Sequence, residues 1–224
     1  MKQGTEQGRL YLVGVGPGDP ELMTCKAVRV LERSKVWVVP KAKENGASSA
    51  LQIVSAMVGT AGREILEVRF PMRKIRLEQQ HDFEVQQGWQ EAAELVLARL
   101  DRGQDVAFPT LGDPGIYSTS FYLLNTLQEA GQELPVKIIP GITAMSACSA
   151  LLNAPLGLGD DVLSVVPAAF DDARLRDIIE TADAVVLMKV FRRLPAVISL
   201  LDELDLTDKA VLLERCGMDG QRVY

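Results

Sequence analysis

The chain has 224 residues, with 24 Lys and Arg against 30 Asp and Glu, a formal net charge of −6 and 47% hydrophobic residues. That composition excludes global disorder and allows one large domain or two small ones around a buried core. The acidic balance excludes bulk electrostatic attraction to nucleic acid, and no stretch approaches the roughly 20 apolar residues of a membrane span or the apolar run of a signal peptide.

A cytoplasmic protein is therefore expected. Three widely separated cysteines, Cys25, Cys148 and Cys216, form neither a disulfide framework nor a zinc-ligand spacing. The single His, His81, lies in a polar helical stretch and reads as a surface residue. Without it no Ser-His-Asp or Cys-His arrangement can be assembled, and no metal site is expected.

In chain order, short Val- and Ile-rich runs predict strands over Leu10 to Val15, Val36 to Pro40, Glu64 to Phe70, Asp105 to Thr110, Val136 to Pro140, Val162 to Val166, Ala184 to Val190 and Lys209 to Glu214. Helical spacing between them predicts helices over Glu21 to Arg33, Ser48 to Val58, Glu78 to Arg102, Ser118 to Ala130, Thr143 to Asn153, Ala173 to Thr181 and Leu194 to Leu204. Alternation of this kind predicts an α/β fold with parallel sheet structure. Composition shifts near the turn Ala130-Gly131-Gln132-Glu133-Leu134-Pro135, since residues 1–112 carry net +1 and residues 113–224 net −7. We therefore expect two α/β lobes, 1–120 and 121–224, with the active site in the cleft between them.

Three loops follow predicted strands, where open α/β sheets hold their ligands. The first is Val13-Gly-Val-Gly-Pro-Gly-Asp-Pro-Glu-Leu-Met-Thr24. Its glycines permit a sharp turn and close backbone approach, and Asp19 and Pro20 suit a helix start. It fails both standard phosphate fingerprints, because Asp19 stands where a dinucleotide loop needs its third Gly and no Gly-Lys-Ser/Thr follows. The second, Phe108-Pro-Thr-Leu-Gly-Asp-Pro-Gly-Ile-Tyr-Ser-Thr119, places Asp113 near a helix start, and the third, Ile139-Pro-Gly-Ile-Thr-Ala-Met-Ser-Ala147, offers Thr143 as an N-cap.

Taken together, Gly14-Val-Gly-Pro-Gly-Asp-Pro-Glu-Leu-Met-Thr24, Gly112-Asp-Pro114 and Pro140-Gly-Ile-Thr143 resemble the tetrapyrrole methylases, over essentially the whole chain from Leu10 onward. The stretches Phe70-Pro-Met72, Trp89-Gln-Glu-Ala-Ala93, Thr110 to Thr119 and Asn153 to Asp160 resemble the branch that methylates C-20 of precorrin-2 or its cobalt-bearing form in cobalamin synthesis. The resemblance implies a homodimer that takes S-adenosylmethionine as co-substrate and a tetrapyrrole as substrate, with no protein-bound metal. It also implies cofactor contacts at Pro17, Leu111, Gly112, Asp113, Ile116, Tyr117, Thr143, Ala144, Met188 and Cys216. The family's members usually continue past the point corresponding to Tyr224, so a shortened second lobe is expected.

Methyl transfer from a sulfonium needs alignment more than a nucleophilic side chain. Tyr117 is the candidate for steering the departing proton. Arg69, Arg73, Lys74 and Arg76, four cations in eight residues, suit the substrate's carboxylates. Related methylases acting on another tetrapyrrole carbon, on ribosomal RNA or in diphthine synthesis would share the three loops, and a non-catalytic metabolite-binding module would share the cleft.

Overall fold

The computed structural model describes residues 7–42, 46–70, 83–167 and 172–224. Two compact units divide the chain, Met1–Ala144 and Met145–Tyr224. The expected boundary at 120/121 falls inside the first unit. The reason is pairing: the strand at 136–139 joins the first sheet beside the chain's first strand, and Leu123 and Leu127 belong to the first core.

That first sheet is parallel and has five strands, β1 (Leu10–Gly14), β2 (Val36–Lys41), β3 (Glu64–Arg69), β4 (Val106–Thr110) and β5 (Val136–Ile139), in the order β3-β2-β4-β1-β5. All five residues of β4 are buried, as are four of five in β1 and five of six in β2, while the edge strands β3 and β5 are partly exposed. Continuous apolar runs follow from cover on both faces. Leu10, Leu12, Val36, Val38, Val106 and Phe108 share one core with Val85, Trp89, Val96 and Leu100 of α3 (Phe83–Leu100) and Leu123 and Leu127 of α4 (Ser120–Glu129). Trp89 stacks on Tyr122 with ring centroids 4.9 Å apart.

Two further helices, α1 (Cys25–Arg33) and α2 (Ser49–Met57), carry side-chain caps from Thr24 and Ser48. The helix expected over Glu21 to Arg33 is split in two. Asp19 caps only a 3-10 turn at Pro20–Leu22; Met23 and Thr24 are then extended, and Thr24 starts α1 by accepting from the Ala27 N–H at 3.1 Å. At the other end, the Arg63 guanidinium donates to the carbonyls of Leu31, Glu32 and Ser34 at 2.9–3.0 Å and lies 4.8 Å from the Trp37 ring. These bonds satisfy carbonyls that the end of a helix leaves open.

The second unit contains most of α5 (Ala144–Leu152), a parallel pair β6 (Leu163–Pro167) and β7 (Ala184–Met188), α6 (Asp172–Thr181), α7 (Leu194–Glu203) and an antiparallel pair β8 (Leu213–Glu214) and β9 (Arg222–Val223). Its core centres on Leu175, Val197 and Leu200. The strand expected over Lys209 to Glu214 shrinks to β8. Upstream of it, the amides of Lys209 and Ala210 bond locally to Leu206 and Thr207, closing a 3-10 turn instead of joining a neighbouring strand.

Candidate active site

Because β4, β1 and β5 are adjacent, the loops leaving their C-terminal ends emerge side by side from the first unit. The backbones of the first two loops pair. Gly112 N–H donates to the Gly16 carbonyl at 2.7 Å, Gly16 N–H donates back at 3.3 Å, and Val15 N–H donates to the Thr110 carbonyl at 3.0 Å. Packing at two of the glycines leaves no room for a side chain. A Cβ on Gly14 would stand 2.6 Å from the Gly141 nitrogen, and one on Gly141 would stand 2.2 Å from the Gly112 carbonyl oxygen. Gly14 and Gly141 thus permit the close approach of three backbones, whereas Gly112 has open space around its Cα and is favoured by its left-handed φ of 72°.

Asp113 joins the second loop to the third. One carboxylate oxygen accepts from Gly115 N–H at 2.7 Å and the other from Gly141 N–H at 2.8 Å. Sequence spacing put Asp113 near a helix start, but α4 begins only at Ser120, and the carboxylate serves as a clamp between loops. A chain of hydroxyls holds the rest of the second loop. Thr110 Oγ1 lies 2.8 Å from Ser118 Oγ, which lies 2.9 Å from Ser120 Oγ, and Ser120 in turn donates to the Pro114 carbonyl at 3.3 Å. Thr110 and Ser120 are buried, so these bonds tie the loop to the end of β4 away from water.

Between those fixed ends, Leu111, Ile116 and Tyr117 are exposed by 45%, 37% and 43%. Tyr117 sits at φ 48°, a left-handed conformation that costs a non-glycine residue energy and is found disproportionately at functional sites. Thr143 immediately precedes α5 and Ala144 opens it, both half-buried. Pro17, expected at the edge of the site, is buried within the first loop. The structure therefore brings Leu111, Gly112 and Asp113 together with Gly141, on loops that also carry Ile116, Tyr117, Thr143 and Ala144.

Met188 and Cys216 belong to the second unit, Met188 ending β7 and Cys216 following β8, both half-buried. Cys216 lies against Cys148 of α5. Burial, then the hydrogen bond and charge of Cys216, push the Cys148 thiol up to about 12. Arg69 ends β3 and forms an ion pair with Glu84 of α3. Arg73, Lys74, Arg76 and His81 lie outside the described residues. Among the described residues no group of three or more His, Cys, Asp or Glu side chains could hold a metal ion.

Sequence reasoning missed the hydroxyl chain and the Asp113–Gly141 bond. Ser118, Thr119 and Ser120 in succession were the available signal for the first. Nothing local signals the second, since its partners are 28 residues apart.

The family model for tetrapyrrole (corrin/porphyrin) methylases matches residues 9–224. The chain is 36% identical over 217 residues to a precorrin-2 C(20)-methyltransferase of Sinorhizobium sp., covering 96% of this chain and 86% of that protein. It is 31% identical over 220 residues to the cobalt-precorrin-2 C(20)-methyltransferase of Salmonella typhimurium, covering 97% and 87%. Among solved structures, uroporphyrin-III C-methyl transferase from Thermus thermophilus complexed with S-adenyl homocysteine matches with a TM-score of 0.66 at 23% identity, over 97% of this chain and 82% of that one. With the motif loops assembled at one sheet edge and the match running through both units, the chain belongs to the tetrapyrrole (corrin/porphyrin) methylase family.

Proposed function

We propose that this protein transfers a methyl group from S-adenosylmethionine to C-20 of precorrin-2 or its cobalt-bearing form. The observation that carries the reading is the close backbone approach of Gly14, Gly112 and Gly141, with Asp113 bonded to the Gly141 amide, in a chain whose relatives include C(20)-methyltransferases of both substrate forms. Exposed Leu111, Ile116 and Tyr117 suit the apolar faces of an adenosyl group, and the backbone amides and carbonyls around Gly112 and Gly141 suit its polar edges. When bound, S-adenosylmethionine supplies an electrophilic methyl on a sulfonium.

The chain's own part is orientation. Backbones in contact and a carboxylate with both oxygens occupied limit loop motion, which is what a displacement governed by alignment requires. The Tyr117 hydroxyl steers the proton that leaves the methylated carbon, and Arg69, Arg73, Lys74 and Arg76 meet the substrate's carboxylates. Met188 and Cys216 complete the cofactor contacts. A homodimer in the cytoplasm is the accompanying expectation. It is supported by the family resemblance; among the described residues no helix is long and apolar enough to cross a membrane.

The test is anaerobic incubation with methyl-labelled S-adenosylmethionine and precorrin-2 or its cobalt form, side by side. Label should enter at least one product at C-20. No transfer to either, or transfer to a different carbon, would overturn the assignment.

A further inference from the structure

The segment between β7 and α7 is absorbed by nothing above. It reads Lys189-Val-Phe-Arg-Arg193 and forms a 3-10 turn over Val190–Arg193. Three of the nine basic residues in the acidic half of the chain fall within these five positions. Phe191 is 87% exposed, the most exposed of the large apolar side chains described, and Arg192 beside it is exposed as well. Val190 packs against the core of Leu175, Val197 and Leu200, so the turn has an anchored side and an open side.

The position of the turn in the sheet bears on ligand binding. The turn leaves the C-terminal end of a strand in a parallel pair, the edge at which open α/β sheets hold their ligands. Lys189 opens it at φ 60° and ψ 39°, a left-handed conformation rare for a residue with a Cβ, and strain of this kind clusters at ligand clamps. Desolvation lowers the Lys189 pKa from its ordinary value, while the residue as a whole remains exposed.

We propose that Lys189, Phe191 and Arg192 form a recognition turn for a polycarboxylated tetrapyrrole, with Phe191 against the conjugated ring and Lys189 and Arg192 on its carboxylates. Each partner fits by chemistry. Arg pairs bidentately with a carboxylate, and an exposed aromatic side chain offers a flat apolar face to a flat macrocycle. The local charge is opposite to that of the surrounding half of the chain, which carries net −7 and would otherwise repel such a ligand.

The proposal rests on the tetrapyrrole reading, and the test separates the two. Uroporphyrin, a stable polycarboxylate porphyrin, is titrated by fluorescence against the full chain and against Arg192→Glu, Phe191→Ala and Lys209→Glu. Lys209 is an exposed cation beyond α7. Arg192→Glu should weaken porphyrin binding tenfold or more and Phe191→Ala several-fold. Lys209→Glu should change it less than twofold, and affinity for S-adenosylhomocysteine should hold in all three. Because Phe191 and Arg192 are exposed, thermal unfolding should match the wild type, and Arg192→Lys should recover part of the binding. Wild-type affinity in both Arg192→Glu and Phe191→Ala, an equal loss in Lys209→Glu, or a wild type that binds no porphyrin would overturn the proposal. Binding that depends on the turn, in a protein that does not methylate C-20, would support it and sink the assigned reaction alone.

Discussion

The two units differ most in how their sheets are buried. In the first, β4 is buried throughout and β1 and β2 nearly so. In the second, every residue of β7 and four of five in β6 are only half-buried, and among the described residues beyond 144 the buried apolar side chains are Ala147, Leu175, Val197 and Leu200. The first unit therefore fixes three backbones to within van der Waals contact, while the second presents side chains from a lightly covered frame. Alignment belongs to the tightly packed unit, where a shift of a few tenths of an ångström is resisted on every side.

The sharpest way to break that contrast is to remove equal volume from both. Leu12→Ala, in the wholly buried core, should cost about 2–5 kcal/mol by chemical denaturation. Leu187→Ala, half-buried on β7, should cost roughly 1–2 kcal/mol, in line with its smaller buried area. Equal losses would mean that the second sheet is as tightly covered in solution as the first.

Next in size is the clamp. Asp113→Ala leaves the Gly115 and Gly141 amides without their acceptor. Removing a charge-assisted hydrogen bond costs about 1.5–3 kcal/mol, which should appear as lost stability in chemical denaturation, and affinity for S-adenosylhomocysteine by calorimetry should fall because the loops lose their mutual register. Unchanged affinity in a folded variant would separate the clamp from ligand binding. Gly141→Ala probes the same contact from the other side. Its new Cβ meets backbone atoms that cannot rotate away, so it should destabilise by about 1–3 kcal/mol and lower kcat more than Leu187→Ala does.

The remaining effect is in the second unit and shows only at high pH. The Cys148 thiol stays protonated in the folded chain up to about pH 12, whereas an ordinary thiol ionises near 9.0. The unfolded chain therefore binds fewer protons between those values, and the Cys148 contribution to stability, full below about pH 9, is lost as the pH rises toward 12. In denaturation series across that window, Cys148→Ala should lose stability less steeply than the wild type. The same protonation should make Cys148 slow to react with thiol reagents at pH 8.

How far these features could be read in advance follows the range of the forces involved. The continuous apolar runs of β1, β2 and β4 announce strands buried on both faces, and the Gly-rich motifs announce the places where backbone must turn or approach. The start of α1 is harder to read because two capping residues, Asp19 and Thr24, stand only five residues apart, each with its own helical segment. Only the chain's path resolves which one begins the longer helix.

By itself, then, the sequence determined the alternation of strands and helices, the family, and the three Gly-bearing loops that follow β1, β4 and β5, because periodicity, capping chemistry and motif spacing are local. The tertiary structure decided that segment 121–144 belongs with the first unit and that Asp113 holds Gly141 instead of starting a helix. It also decided that Phe191 and Arg192 face solvent on an anchored turn. Each of these depends on which strands pair and which backbones meet, and long-range contacts of that kind leave no mark on neighbouring residues.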